Sequence, residues 1–341
     1  MSELARRTAE LRRGGPLDRE RAREILALLL SGAEAEAEIR ALLLAVNERG
    51  VDEQALFGFA EGLREKAVNV RVDREPLVDT CGTGGDGLQT FNISTAAALV
   101  AAGAGLAVAK HGNRSVSSRS GSADVLEALG VPVAEPPEAV RASIEELGFG
   151  FFFAPRYHPA MKHVGPARKA LGVRTFFNLL GPLANPALVR RQVVGVYDPE
   201  LLETYARVLL RLGAQRVLVV RGEDGMDELS LAAPTRVCSA EAGGAVRIET
   251  VSPEDAGLLR CAPAALRGGD AVENARELEA LLGGRPGPLL DAVLLNAAAA
   301  FLVAGLAADL REGVTQARAS VASGRAMAVL EGLRARRRED R

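Results

Sequence analysis

The first seventy or so residues carry apolar positions at helical spacing and none at strand spacing. Asp18 stands before a run in which Ile25, Leu26, Leu29 and Leu30 share one face, and Ser31-Gly32 closes it. A second face holds Ile39, Leu42, Leu43 and Val46, stopped by the polar stretch 47–50. Asp52 can cap a third helix, with Leu56, Phe57, Phe59 and Leu63 on one side. From about residue 76 the texture changes. Short apolar runs at 77–79, 106–109, 150–153, 192–197 and 216–221 read as strands, separated by helical segments at about 95–104, 122–130, 137–148 and 200–212. Past residue 232 the alternation loosens: 246–251 is a candidate strand, and two Ala/Leu-rich helices, about 287–306 and 311–335, close the chain.

This pattern predicts the α/β class: a small all-helical domain over 1–70, then a large α/β domain over 71–341 with a mainly parallel central sheet. A chain of 341 residues is long enough for two cores. In such sheets ligands bind at the carboxyl ends of the strands, so the loops there are where chemistry is expected.

Composition narrows the classes. The net charge of −2 offers no general attraction to nucleic acid or anionic membrane. Cys81, Cys238 and Cys261 are three, far apart, and fit neither a disulfide framework nor a zinc site; a reducing cytoplasm is the expected location. The charged start 1–13 lacks the apolar segment of a signal peptide. The apolar run 292–308 is Ala-rich, interrupted by Asn296 and too short to span a bilayer, so a buried helix is expected. Only four residues are lysine, against abundant arginine, so a lysine in a motif carries more weight than an arginine.

The most distinctive stretch is Asp79-Thr80-Cys81-Gly82-Thr83-Gly84-Gly85-Asp86-Gly87, followed by Thr90-Phe91-Asn92-Ile93-Ser94-Thr95. It reads as strand, glycine loop, helix. The glycines let backbone N–H groups converge, and Asn92, Ser94 and Thr95 stand where side chains can cap the helix; the free amides there favour a phosphate or pyrophosphate. It matches neither the Walker A pattern nor the dinucleotide fingerprint. Asp86 inside the loop points to a ribose hydroxyl or a metal-bound water beside the phosphate.

A second anion cradle follows the 106–109 strand: Lys110-His111-Gly112-Asn113-Arg114-Ser115-Val116-Ser117-Ser118, then Ser122 at a helix start. A third motif, Gly222-Glu223-Asp224-Gly225-Met226-Asp227-Glu228, sets carboxylates at a strand end, where a hard cation such as Mg²⁺ can be held together with substrate phosphates; a solvated acidic turn reads as well from this stretch alone. A fourth combines His158, His163 and Arg168 with Asn178-Leu179-Leu180-Gly181-Pro182-Leu183-Ala184-Asn185-Pro186. It could hold a small aromatic acid with its carboxylate on Arg168, the two histidines reading as surface or capping residues.

Together these stretches resemble the anthranilate phosphoribosyltransferases, within the nucleoside-phosphorylase/phosphoribosyltransferase family, over nearly the whole chain. The resemblance implies a Mg²⁺-dependent transfer of phosphoribosyl from phosphoribosyl pyrophosphate (PRPP) to anthranilate, a step of tryptophan biosynthesis. It implies a PRPP site of Gly82, Gly85, Asp86, Thr90, Asn92, Ile93, Ser94 and Thr95, joined by Lys110, His111, Gly112, Asn113, Arg114, Ser115, Val116, Ser117, Ser118 and Ser122. Anthranilate contacts would be Gly82, Asn113 and Arg168; magnesium ligands would be Ser94, Asp227 and Glu228. No single residue would act as acid–base catalyst, with Lys110, His111 and Asn113 positioning. It further implies that a middle segment, about 165–190, rejoins the helical domain, through which the family forms homodimers. No nucleic-acid or membrane partner is expected. Two readings stay open beside it: a pyrimidine nucleoside phosphorylase of the same fold, and a non-catalytic nucleic-acid-binding relative.

Overall fold

A computed structural model describes residues 2–115 and 119–339, with side chains to 336. Val116, Ser117 and Ser118 of the second cradle therefore lie outside the described residues.

Four helices open the chain: α1 (Glu3–Arg12), α2 (Arg19–Leu29), α3 (Glu36–Arg49) and α4 (Glu53–Glu65). Asp18 and Asp52 cap α2 and α4, accepting from the N–H groups of Arg21 and Ala55 at 2.9 Å each. α1 is an addition to the sequence reading. It buries only Leu4, Thr8 and Leu11, and Arg6 bridges Glu3 and Glu10 along its charged side. Leu4 and Leu11 join the helical core against α3, so the helix is held by three buried positions and its apolar signal is thin.

The sheet is built from β1 (Leu77–Gly82), β2 (Ala107–Gly112), β3 (Phe149–Phe153), β4 (Arg191–Gly195), β5 (Arg216–Gly222), β6 (Thr235–Glu241) and β7 (Arg247–Val251). The order is β3-β2-β1-β4-β5-β6-β7. The first five strands pair in parallel, and the β5–β6 and β6–β7 pairings are antiparallel, so β6 alone runs opposite and the sheet is mostly parallel, as the alternation predicts. β6 has no counterpart in the sequence reading. Its run is short and flanked by polar residues, and it is held by full pairing to β5 rather than by its own apolar content.

Helices fill the connections: α5 (Ile93–Gly103), α6 (Ser122–Ala128), α7 (Pro137–Leu147), the short α8 (Ala154–Tyr157), α9 (Gly165–Leu171), the short α10 (Phe177–Leu180), α11 (Leu201–Arg211), α12 (Ala271–Leu282) and α13 (Pro288–Ala304). α12 is a further addition, with a capping box of Asp270 and Glu273 and a buried face of Ala275, Leu278, Leu281 and Leu282. The single helix expected over 311–335 is two, α14 (Leu310–Ala322) and α15 (Arg325–Glu339), parted at Gly324, whose φ of +75° is left-handed.

One sheet face packs on α5 and α13, in a core that continues to α14 and α15. Alanine lets these helices approach closely; a Cβ on Gly313 of α14 would lie 2.7 Å from the Cβ of Ala298 on α13. On the other face α11 lies over β5 and β6, and its core runs without a break into the opening helices. α9 packs on α3 and α10 on α4, where the rings of Phe59 and Phe176 stack with centroids 3.9 Å apart. The sheet's carboxyl edge therefore faces a cleft walled by the helical unit.

Candidate active site at the carboxyl edge of the sheet

Four of the parallel strands end in glycine: β1 in Gly82, β2 in Gly112, β4 in Gly195 and β5 in Gly222. Each absence of a Cβ admits a neighbour. An added Cβ would meet Asp227 Oδ2 at 2.3 Å from Gly82, Ser122 Oγ at 2.2 Å from Gly112, the Asp227 carbonyl oxygen at 1.6 Å from Gly195, and Asp224 Oδ1 at 2.4 Å from Gly222. The glycines thus let the loops fold down over the strand ends. Gly195 and Gly222 carry no phosphate-loop signature, and only their neighbours in space reveal their part.

Beneath the loops lies a buried polar layer. Lys110 Nζ donates to the carbonyl of Thr80 at 2.6 Å and to Ser94 Oγ at 3.3 Å. Asp79, fully buried, accepts from Asn185 Nδ2 at 2.8 Å and from the N–H of His111 at 3.3 Å. Burial pushes its carboxyl above the ordinary range, and the charge of Lys110 opposes that. Asn185 also donates to the Ala109 carbonyl at 2.8 Å, so this layer ties β1, β2 and the loop after α10 together.

The third motif divides. Asp224 is consumed by its own turn, accepting from Ser230 Oγ at 2.6 Å and from the Met226 N–H at 3.2 Å. Asp227 and Glu228 instead cross to the glycine loop and the start of α5. Asp227 Oδ2 accepts from the Gly84 N–H at 2.8 Å, and Glu228 Oε1 from the Ser94 N–H at 3.1 Å. Burial, then the Asp86 carboxylate, raises Asp227 to about 6; burial, then Asp227, raises Glu228 to about 8. Each keeps part of its surface open at the mouth of the site. A crowded carboxyl pair of this kind is relieved by a proton or by a hard cation set between its oxygens. Among the described residues no group of three His, Cys, Asp or Glu closes on one point, so a cation here would draw its remaining ligands from Ser94, substrate oxygens and water. The residues present fit Mg²⁺ on those terms.

Asn92 sits at the N-cap of α5, but the expected capping bond is not made. Its amide is used otherwise: Nδ2 donates to the Ser120 carbonyl at 3.1 Å, and Oδ1 accepts from Asn274 Nδ2 on α12 at 2.9 Å. Asn92 therefore joins the two anion cradles and leaves the amides of α5 to other acceptors. Ile93 and Thr95 are buried just behind it. Thr90 pairs with Arg267 in an isolated antiparallel bridge. Gly85, at a φ of +83°, has its carbonyl held by the Arg174 guanidinium, which lies 4.4 Å over the Tyr197 ring.

In the second cradle Asp124 accepts from the N–H groups of Ser115 at 3.0 Å and Gly121 at 2.9 Å. The guanidinium of Arg114 is engaged by Glu127 at 2.5 Å and Asp124 at 3.2 Å on the outside of α6. Ser122 Oγ donates to the Asn113 carbonyl at 3.3 Å. Amides of both cradles are thus occupied by the chain's own carboxylates.

Beside Gly82 opens a cleft of about 460 Å³, lined among others by His111, Asn113, His158, Arg168 and Phe177. It gathers the three anthranilate-contact candidates Gly82, Asn113 and Arg168. Arg168 is half-buried, its guanidinium 5.1 Å over the Phe177 ring, and among the described residues no carboxylate or hydrogen-bond acceptor meets it. Burial lowers its pKa, which marks a cation held partly out of water without a partner. His111 and His158 lie with ring centroids 5.1 Å apart. Nδ1 of His111 faces the Gly181 carbonyl at 3.0 Å, while among the described residues its Nε2 and both ring nitrogens of His158 have no partner of hydrogen-bonding geometry. Burial pulls His111 down to about 3, assisted by His158, and His158 down to about 4, partly offset by the Ala184 carbonyl; both rings are neutral. His158, a surface or capping residue by its sequence context, is buried here, which only the return of the 154–163 segment across the cleft reveals.

Two family models cover the chain: the glycosyl transferase family, helical bundle domain, over residues 8–67, and the glycosyl transferase family, a/b domain, over residues 74–327. The anthranilate phosphoribosyltransferase of Symbiobacterium thermophilum is 50% identical, with 98% of this chain and 97% of that one aligned. That of Thermomicrobium roseum is 51% identical over 94% and 93%. The chain belongs to the anthranilate phosphoribosyltransferase family. Solved structures of the family superpose closely. The enzyme of Thermus thermophilus matches with a TM-score of 0.90 at 49% identity, covering 97% of this chain and 99% of that one. The Saccharomyces cerevisiae enzyme in complex with PRPP and Mg matches with a TM-score of 0.90 at 29% identity, over 97% of both chains. No helix among the described residues is long and apolar enough to cross a membrane.

Proposed function

We infer that this chain transfers the phosphoribosyl group of PRPP to the amine of anthranilate, releasing pyrophosphate, in tryptophan biosynthesis. The observation that carries the acceptor is Arg168: a half-buried guanidinium, met by no acid or acceptor among the described residues, in a cleft that opens beside the glycine loop. A planar guanidinium matches a carboxylate bidentately, and the Phe177 face beneath it suits an aromatic ring. Gly82 and Asn113 line the same cleft and would contact the acid; His111 and His158 would border it as neutral rings.

The donor would lie along 82–95 and 110–122. The backbone amides around Gly84 and Ser94 would receive pyrophosphate oxygens once Asp227 and Glu228 turn to the cation. Ser94, Asp227 and Glu228 would hold Mg²⁺, which when bound supplies neutralisation of charge on the leaving pyrophosphate. Lys110 underpins this by fixing Ser94 and the end of β1. As the ribose–pyrophosphate bond breaks, fixed N–H donors stabilise the oxygens on which charge grows. The nucleophile is an aromatic amine, neutral at pH 7, so no strong base is required. Lys110, His111 and Asn113 act by position, a factor that can supply roughly 7–11 kcal/mol.

The same proposal divides the chain at about residue 70, with 165–190 returning to the helical domain; the packing of α9 on α3 and α10 on α4 supports it. It includes a cytoplasmic homodimer joined through the helical domain, where Leu44 of α3 is left exposed; light scattering on the purified protein tests the mass.

Anthranilate fluorescence, followed with PRPP in the presence and absence of Mg²⁺, tests the function. The expected result is Mg²⁺-dependent decay with one pyrophosphate released per anthranilate. A folded protein that binds PRPP but leaves anthranilate unchanged, or that cleaves thymidine or uridine with phosphate, would overturn it.

A further inference from the structure

α13 is an Ala/Leu helix buried on nearly every side, and Asn296 is the one polar residue among its buried positions. A buried amide is costly unless its groups are paired. Asn296 pairs them with unusual economy. Its Oδ1 accepts from the N–H of Leu229 at 3.0 Å, and its Nδ2 donates to the carbonyl of Leu229 at 2.9 Å and to that of Ala292 at 3.0 Å. One side chain therefore grips both backbone groups of a single loop residue. That residue follows Glu228 directly.

The consequence is geometric. On the core side, the buried side chains of Met226 and Leu229 and the Asn296 amide hold the 226–229 turn. On the solvent side its two carboxylates reach Gly84 and Ser94. The Asn296 pair sets the height and rotation of Leu229, and so the direction in which Asp227 and Glu228 leave the chain. An apolar residue at position 296 would keep the helix and leave Leu229 with two unpaired backbone groups.

We propose that Asn296 is a positioning residue for the metal–pyrophosphate site, acting through the backbone of Leu229 to aim Asp227 and Glu228. This rests on the reading above that those carboxylates hold Mg²⁺. Outer partners that orient metal ligands typically matter by about 10–100-fold in metal affinity. Outside its own helix Asn296 hydrogen-bonds, among the described residues, to the 226–229 turn alone, so its effect falls on the donor and not on the Arg168 cleft.

The test is calorimetric titration of PRPP into the full-length protein at a series of Mg²⁺ concentrations, without anthranilate, together with the steady-state KM of each substrate. The variants are Asn296→Ala and the milder Asn296→Ser, whose hydroxyl can bond back to the Ala292 carbonyl and so preserve the helix. The control is Val303→Ala, a cavity on the same helix near the amino end of β4, where Arg191 holds the Val303 carbonyl at 3.2 Å. In both Asn296 variants the Mg²⁺ concentration that half-supports PRPP binding should rise about tenfold. The anthranilate KM should stay within about twofold, and Val303→Ala should lower thermal stability without moving the Mg²⁺ midpoint. A midpoint in Asn296→Ser within about twofold of the parent, or a parallel rise of both KM values, would reduce Asn296 to a fold staple and overturn the proposal. If Asn296→Ala does not fold, Asn296→Ser alone decides. A parent protein whose PRPP binding ignores Mg²⁺ would overturn the reading of Asp227 and Glu228 itself, and this inference with it.

Discussion

The carbonyl oxygen of Asp227 stands 1.6 Å from where a Cβ on Gly195 would be. The last residue of β4 is therefore glycine because the carboxylate-bearing loop lies directly on it. Gly195→Ala must push that loop off the strand end, moving Asp227 away from Gly84. Overpacking of this kind costs about 1–3 kcal/mol, and here the contact is backbone, which cannot swing aside. The expected outcome is a stability loss in that range by denaturant titration, together with at least about tenfold weaker Mg²⁺-dependent PRPP binding. Unchanged PRPP binding would show that the loop's seat on Gly195 is not needed.

Arg168→Ala should separate the substrates. The guanidinium lines the cleft and meets no acid of the protein among the described residues, so its loss removes an anion partner and little structure. A charge-assisted bond is worth about 1.5–3 kcal/mol, so the anthranilate KM should rise by about 10–100-fold while that for PRPP moves by less than about threefold. Equal changes in both would contradict the assignment.

His111 and Asn113 border the same cleft without being placed as a proton-transfer pair. Alanine at either position should lower kcat by less than about 100-fold, within the usual reach of positioning or weak acid–base assistance. A loss near a million-fold at either site, with the protein folded, would identify an indispensable catalyst and refute this account.

The two buried imidazoles make a pH prediction. In the folded protein His111 and His158 are lowered to about 3 and about 4, while in the unfolded chain each takes up a proton near its ordinary value of about 6.5. The folded state thus binds fewer protons below pH 6.5. The stability they contribute is complete above that pH and is lost as pH falls towards 4. Each should cost about 1 kcal/mol by pH 5.5. His158→Gln should flatten the fall in urea midpoint between pH 6.5 and 4.5, whereas a slope equal to the parent's would show that His158 is charged in the fold. Above pH 6 neither ring changes state, so neither should give the anthranilate KM a pH dependence.

Local chemistry carried much of this architecture in plain view. The helical caps at Asp18 and Asp52, the strand-helix alternation and the glycine loop are short-range signals, and each is where the pattern puts it. Some of the elements that escape a reading of the sequence have little apolar signal of their own. β6 is completed by its pairing with β5 and β7, and α1 by the packing of Leu4 and Leu11 against α3.

Periodicity and residue type were enough to set the fold class and the identity of the chemical groups: which loop is rich in glycine, which lysine and which acids stand at strand ends. Which of those groups meet was settled only when the chain folded. Asp224 and Asp227 are indistinguishable by spacing, yet one closes its own turn and the other lies on the glycine loop. Gly195 and Asn296 carry no motif, and His158 stands in one that reads it as a surface or capping residue. Their parts follow from close packing, in which a strand end without a Cβ, a buried ring and a paired amide are defined only by what lies against them.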